Sequence, residues 1–274
     1  MLDDKEYPHI KADYRDHFNS KSKFKQIVAF NNPDIIRKII NTYRVQFLKD
    51  VALARILDEN SFSSLSSIAF FNQSEIVAYI QKDQSFQIQI FAILSEENLS
   101  AQKRKDVIMF LHELSVTVKG LHVQSKVEFF RSLASHGLFA IFEYTIGDED
   151  IDIRIAIISL LTNILENEAA LVRSFCLAQA KQNQKTLMET VIERLVGETD
   201  SGLRSQLSEI IRMMIDTTRV DAVSEGIVHH TSDAEDFLNL FYENYVSQLA
   251  HPIMSLNEKM IFLKNGMNYN HNID

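Results

Sequence analysis

The sequence predicts an all-α fold, a solenoid of stacked helical repeats. Three observations carry this: a fifty-residue periodicity, apolar residues at spacings of three and four, and a scarcity of glycine and proline. Gly147, Asp150 and Arg154 return as Gly197, Asp200 and Arg204, and one step back lands on Arg104. Apolar positions keep the register at Val107/Ile157/Leu207, Phe110/Leu160/Ile210, Leu111/Leu161/Ile211 and Leu114/Ile164/Met214. The preceding helices align at Ile88/Leu138/Met188 and Phe91/Ile141/Val191. Helical units of this period cannot bury their apolar faces alone, and they stack to do so. Only 7 Gly and 3 Pro in 274 residues are too few for a strand-rich fold with many tight turns. An apolar content of 46% with 24% charged residues belongs to a folded chain, not a disordered one.

In chain order, residues 1–10 are polar and contain Pro8, which predicts a flexible N-terminal edge. Residues 11–255 read as one repeat domain. Lys11 to Asn19 is a short helical run. Ser22 to Phe30 comes next and is broken at Asn31-Asn32-Pro33. Asn32 is placed to cap the next helix and Pro33 to occupy its first turn, where a missing N–H costs nothing. That helix runs from Asp34 to Ala52. Further helices are expected over Asp58 to Phe71, Gln73 to Gln81 and Ser85 to Leu94. The clearest repeat units then span 86–135, 136–185 and 186–233. Thr217 to Asp233 reads as a polar loop containing Gly226 and His229-His230. Ala234 to Leu249 is a helix, Pro252 ends or bends the chain after it, and 256–274 reads as a frayed tail.

One unit can be traced in full. Its first helix is Val123 to Ser135, closed by His136-Gly137. The second is Leu138 to Ile146, closed by Gly147, and the third is Asp150 to Glu166. Glycine after a helix relieves left-handed cap geometry. Asp148 to Asp152 place carboxylates in a first turn, where the helix dipole favours negative charge. The "SHG" before the second helix and the "LLTNIL" late in the third resemble an armadillo repeat. That resemblance implies an armadillo/HEAT-like right-handed superhelical solenoid of three-helix repeats, with third helices lining a concave groove.

The formal net charge is −9. A general nucleic-acid binder needs a basic surface to release counterions from phosphates, so direct nucleic-acid binding is not expected. Basic or mixed-charge protein partners suit this balance. The single cysteine excludes an internal disulfide framework. No uninterrupted apolar run reads as long enough to span a bilayer, so no membrane partner is expected.

Three longer stretches carry a family resemblance: Thr42 to Val51 (TYRVQFLKDV), Phe70 to Val77 (FFNQSEIV) and Phe129 to Gly137 (FFRSLASHG). With Lys103-Arg104-Lys105, Val172 to Phe175 and Phe237 to Tyr242, they resemble the SMEK/falafel family, regulatory subunit 3 of protein phosphatase 4. The likeness runs in order from about residue 9 to about residue 255. It implies a non-catalytic scaffold working with the phosphatase 4 catalytic subunit and regulatory subunit 2. It also implies a role in DNA-damage recovery and a nuclear location with a cytoplasmic pool. Family members carry an EVH1-type domain ahead of these repeats, and further repeats and a disordered tail after them. Neither reads in this sequence, so the expectation is a piece of a longer protein.

No residue pattern points to catalysis or to a cofactor. Cys176 lies in an apolar helix and reads as a structural thiol. His229-His230 lack the companion ligands of a metal site, and the acidic run before Ile153 is explained by the helix dipole. His112 and His136 suit surface or cap roles, and no glycine-rich phosphate cradle is present. An enzyme built on His229, His230 and nearby carboxylates stays open as an alternative.

The groove is the candidate site. Asn163 sits where peptide-gripping armadillo repeats clamp a backbone, but its counterparts are Glu113 and Met213, so the asparagine ladder is broken. Asp106, Met109 and Glu113, then Ser159, Asn163 and Glu166, then Gln206, Glu209 and Asp216 fall on one expected face. Such a face suits a basic peptide or helix, and an unoccupied solvated surface is the competing reading. Arg104, Arg154 and Arg204 form a ladder that reads either as an anion recogniser or as bonding to the preceding acidic turns. Tyr43, Phe70 and Phe71 read as core, and Arg44 and Asn72 as contact residues. The partner-binding set is thus Arg44, Asn72, Asp106, Glu113, Arg154, Asn163, Glu166 and Glu209. A generic armadillo adaptor for basic or phosphorylated peptides is the second functional reading.

Overall fold

The computed structural model describes residues 14, 17, 24–96, 98–217, 230–252 and 254. The expected edge at 1–10, the tail at 256–274, His229 and residues 218–229 of the expected polar loop lie outside these. Among the described residues there are ten α-helices and one π-helical turn, and no strand. The all-α class therefore stands. The chain forms two compact units, one up to Leu138 and one from Phe139 onward.

The first unit begins with α1 (Pro33–Phe47), which runs into a π-helical turn (Leu48–Ala52). Asn32 caps α1 by accepting a hydrogen bond from the Asp34 N–H, and Pro33 opens the helix, as the sequence predicts. α2 (Glu59–Lys82) is a single helix of 24 residues, capped by Asp58 through the Ser61 N–H. The expected break before Gln73 does not occur. Nothing between Phe70 and Ser74 breaks a helix, and Ile76, Val77 and Ile80 continue the buried face of Ala69. α3 (Gln84–Leu94), α4 (Ala101–Lys119) and α5 (Val123–Ser135) complete the unit. α2 packs against α1, α3, α4 and α5, and so forms its spine. Phe86, Ile90, Val107, Ile108, Phe129 and Phe130 fill the core.

The second unit holds α6 (Ala140–Thr145), α7 (Ile151–Lys181), α8 (Leu187–Gly197), α9 (Ser201–Ile215) and α10 (His230–Asn244). His230 to Asp233, expected in the loop, open α10 instead. α7 packs against all four other helices. It is 31 residues long and, by length and composition alone, apolar enough to cross a membrane, although charged residues such as Arg154 and Glu166 interrupt its apolar run. Its composition has a simpler cause, because 67% of the apolar window is buried within the protein. Glu168, at φ −155° and ψ 74°, breaks its helical geometry two residues after the expected end at Glu166. From Ala169 a further helical segment continues without an intervening loop.

The fifty-residue period is visible in the helix starts. α4, α7 and α9 are capped by Ser100, Asp150 and Asp200, each accepting a backbone N–H of the first turn. Val107, Ile157 and Leu207 are all fully buried, as are Leu111 and Leu161, with Ile211 nearly so. The register fails at Ile88, which is 54% exposed while Leu138 and Met188 are fully buried. Of the two expected glycine closures, Gly137 adopts φ +112°, but Gly147 does not take a positive φ. At Gly137 a side chain would be strained by the backbone alone.

Candidate protein-binding site

The first unit contains an open cleft of about 740 Å³. One wall is α1, through Ile39, Ile40, Tyr43 and Arg44. The other is α4, through Phe110, Glu113, Leu114 and Thr117. Gln73, Ile76 and Ile80 of α2 form the floor, and Phe24, Lys25 and Phe30 complete the lining. Each wall shows helical spacing: positions 39, 40 and 43 share one face of α1, and 110, 113, 114 and 117 share one face of α4. Thus Arg44 and Glu113, both expected to contact partners, line one cavity.

Polar groups around the cleft differ in how far they are already engaged. Lys25 pairs with Asp106, which also accepts a 3.0 Å hydrogen bond from Gln102 Nε2. These two bonds, from Lys25 first and then Gln102, hold the Asp106 carboxyl below the usual carboxylate range. Asp106 is therefore committed to an internal pair. The Tyr43 hydroxyl lies 2.9 Å from His17 Nε2, and the His17 ring stacks on Phe47 at 4.9 Å. Glu113 is exposed, with His112 Nδ1 3.7 Å away. Arg44 is exposed and its guanidinium has no partner among the described residues.

The aromatics depart from expectation. Tyr43 is 43% and Phe71 65% exposed, so neither is core. Asn72 is half-buried in the middle of α2, and its neighbour Gln73 lines the cleft instead. Gln46, Gln73 and Thr117 carry no charge and form no repeat, so sequence reasoning does not single them out.

The second unit places the remaining residues differently. Asn163 is buried, facing the core rather than solvent, and its carbonyl accepts from Asn167 Nδ2 at 2.7 Å. An asparagine inside an apolar run gives no sign of its phase on the helix. Glu166 is exposed at the end of the third-helix segment. Glu209 forms a two-bond pair with Arg212, at 2.8 and 2.6 Å.

Two members of the arginine ladder bond within their own turns. Arg154 Nη1 donates to the Asp148 carbonyl at 2.9 Å, and Arg204 Nε donates to the Glu198 carbonyl at 3.2 Å. The same bond, to the carbonyl six residues back, is made in both copies. Glu198 then joins the copies. Its side chain is 1% exposed, with Arg194 Nη2 2.6 Å away and Arg154 Nε 3.8 Å away. Its other oxygen accepts the Thr199 and Asp200 N–H groups at 2.9 and 3.0 Å. Burial works to raise its pKa, but the Asp200 N–H and Arg194 outweigh that, and the carboxyl is held below the ordinary glutamate value. Sequence reasoning misses Glu198, although the repeat marks it: fifty residues earlier Asp148 likewise accepts the N–H of the following cap residue, Asp150.

Cys176 is completely buried, and burial pushes its thiol up to about 12. A thiol so placed is inert as a nucleophile. Among the described residues no group of three or more His, Cys, Asp and Glu is arranged to hold a metal. The described geometry offers a walled apolar cleft with one unpartnered cation and one exposed carboxylate. Such a cleft is suited to holding a peptide or helix.

The family model for Phosphatase 4 regulatory subunit 3 matches residues 2–270. The chain is 32% identical over 272 residues to an uncharacterised protein of Schizosaccharomyces pombe, covering 92% of this chain and 32% of that protein. It is 32% identical over 240 residues to Suppressor of Mek1 of Dictyostelium discoideum, covering 88% of this chain and 22% of the relative. With serine/threonine-protein phosphatase 4 regulatory subunit 3 of Drosophila melanogaster the identity is 29% over 248 residues, covering 88% and 24%. The chain thus spans a third or less of the length of these relatives. No solved structure matches it.

Proposed function

The chain belongs to the phosphatase 4 regulatory subunit 3 family, and we propose that it is a non-catalytic scaffold segment of the phosphatase 4 complex. In this reading it binds the phosphatase 4 catalytic subunit together with regulatory subunit 2. It helps target serine/threonine dephosphorylation in the DNA-damage response, the cell cycle and signalling. It is at work in the nucleus and the cytoplasm. In this reading partners dock on residues such as Arg44, Glu113 and Glu166. The observation that carries this is the family match along nearly the whole chain.

The alternative of an adaptor reading phosphorylated peptides through the arginine ladder is weakened by the donors already used. Arg154 and Arg204 are bonded to the carbonyls of their own acidic turns. The direct test is co-elution of the 274-residue chain with purified phosphatase 4 catalytic subunit, with and without regulatory subunit 2, alongside a phosphopeptide hydrolysis assay of the chain alone. Co-elution without intrinsic hydrolysis supports the reading. Hydrolysis by the chain alone, or migration apart from both subunits, refutes it.

A further inference from the structure

We infer that the cleft between α1 and α4 is a docking groove for one amphipathic helix of a partner protein, with acidic residues beside Arg44 and basic residues beside Glu113. The inference rests on the scaffold reading above and adds the class of ligand and the place where it binds.

Three features argue for a helix. First, α2 packs against both α1 and α4 and supplies the floor of the space between them. A helix laid in that space would rest on three helices, the arrangement by which α-helical layers bury apolar stripes. Second, both walls present side chains at helical spacing, Ile39, Ile40 and Tyr43 on one side and Phe110 and Leu114 on the other. Ile39 and Ile40 are half-exposed and Tyr43 is exposed, so the α1 wall is apolar surface without full cover. Third, the volume, about 740 Å³, leaves room for apolar side chains inserted from a partner.

Charge selects the occupant. Lys25, which lines the cleft, is neutralised by Asp106. The other two charges belong to opposite walls and opposite signs: Arg44, without a partner among the described residues, and the exposed Glu113. A helix with carboxylates on one flank and ammonium groups on the other satisfies both, whereas a uniformly basic or acidic helix meets a like charge on one wall.

The test uses three synthetic helical peptides of about 18 residues, long enough to hold helical structure. All share Leu and Phe at i, i+3, i+4 and i+7. One has Glu on one flank and Lys on the other, one has Lys on both, and one has Glu on both. Each is titrated by fluorescence anisotropy into the 274-residue chain and into the variants Arg44→Glu, Glu113→Arg and Thr117→Trp. The mixed peptide should bind wild type most tightly. Arg44→Glu should move the preference about tenfold towards the all-Lys peptide, and Glu113→Arg about tenfold towards the all-Glu peptide. Thr117→Trp, which fills the cleft, should abolish binding of all three. Thermal melts establish that the variants are folded, and the two charge reversals alter exposed side chains, so they keep the test alive if the tryptophan variant does not fold.

An order of preference unmoved by either reversal overturns the inference, as does absence of binding to wild type. Self-association of the chain that is lost in both reversals would make the occupant a second copy and overturn it equally. Co-elution with the phosphatase 4 subunits is measured on the same samples. Co-elution without peptide binding removes the groove and leaves the scaffold reading, whereas peptide binding without co-elution does the opposite.

Discussion

Arg154 Nε stands 3.8 Å from Glu198 Oε2, and this pair ties the start of α7 to the turn between α8 and α9. Glu198 is almost wholly buried and serves three arginines at once: Arg154 and Arg194 through its carboxylate, and Arg204 through its carbonyl. A ladder that resembles an anion-binding device in the sequence is used in the fold to join successive repeat copies.

Replacing Glu198 by Ala should therefore cost about 2 to 3 kcal/mol of stability, because it leaves two part-buried arginines and two backbone N–H groups without their acceptor. Urea unfolding monitored by circular dichroism measures it. Glu209→Ala, which removes a surface pair with Arg212, should leave the midpoint unchanged. Equal effects from the two would refute the assignment of Glu198 as a junction.

Acid should act through the same carboxylate. Its folded-state pKa lies below the ordinary glutamate value, so its contribution is complete above that value and is lost as pH falls through the folded one. Between neutral pH and the acid range, wild type should lose more stability than Glu198→Gln, which cannot titrate at this position. Parallel pH profiles of the urea midpoint would contradict this.

The repeated caps make a graded prediction. Ser100→Ala, Asp150→Ala and Asp200→Ala each remove one acceptor from a first-turn N–H and should each cost about 1 kcal/mol. Replacement by Gly should cost only a few tenths of a kcal/mol, because glycine adopts the non-helical cap backbone readily and leaves the N–H open to water. Thermal melts of the six variants provide the measurement.

Cys176 should be silent in the folded protein. Complete burial and a thiol pushed up to about 12 leave neither access nor thiolate at neutral pH. Ellman's reagent should report no fast-reacting thiol in native buffer and one in denaturant. A fast thiol in the native chain would mean that α7 opens locally.

The all-α class and the capped helix starts are legible in the sequence because caps and apolar register are local signals that repeat. Asn32-Pro33 and the series Ser100, Asp150 and Asp200 mark helix beginnings, and tertiary packing does not override them. The candidate site is half legible. Arg44 and Glu113 stand out as contact residues, but nothing in the sequence says that α1 and α4 face one cleft, because contact between distant helices leaves no local pattern. Asn163 shows the converse limit: its helix reads correctly, yet the side chain points to the core. The continuation across Glu168 is hidden as well, since neither Gly nor Pro marks the break.

The most direct measurement is isothermal calorimetry of the 274-residue chain with the phosphatase 4 catalytic subunit, alone and paired with regulatory subunit 2, at two salt concentrations. Saturable one-to-one binding to the paired subunits is expected, weakened at high salt by screening of the charged rim residues. No heat of binding in either state, at either salt concentration, would contradict the claim that this segment is a docking scaffold of the phosphatase 4 complex.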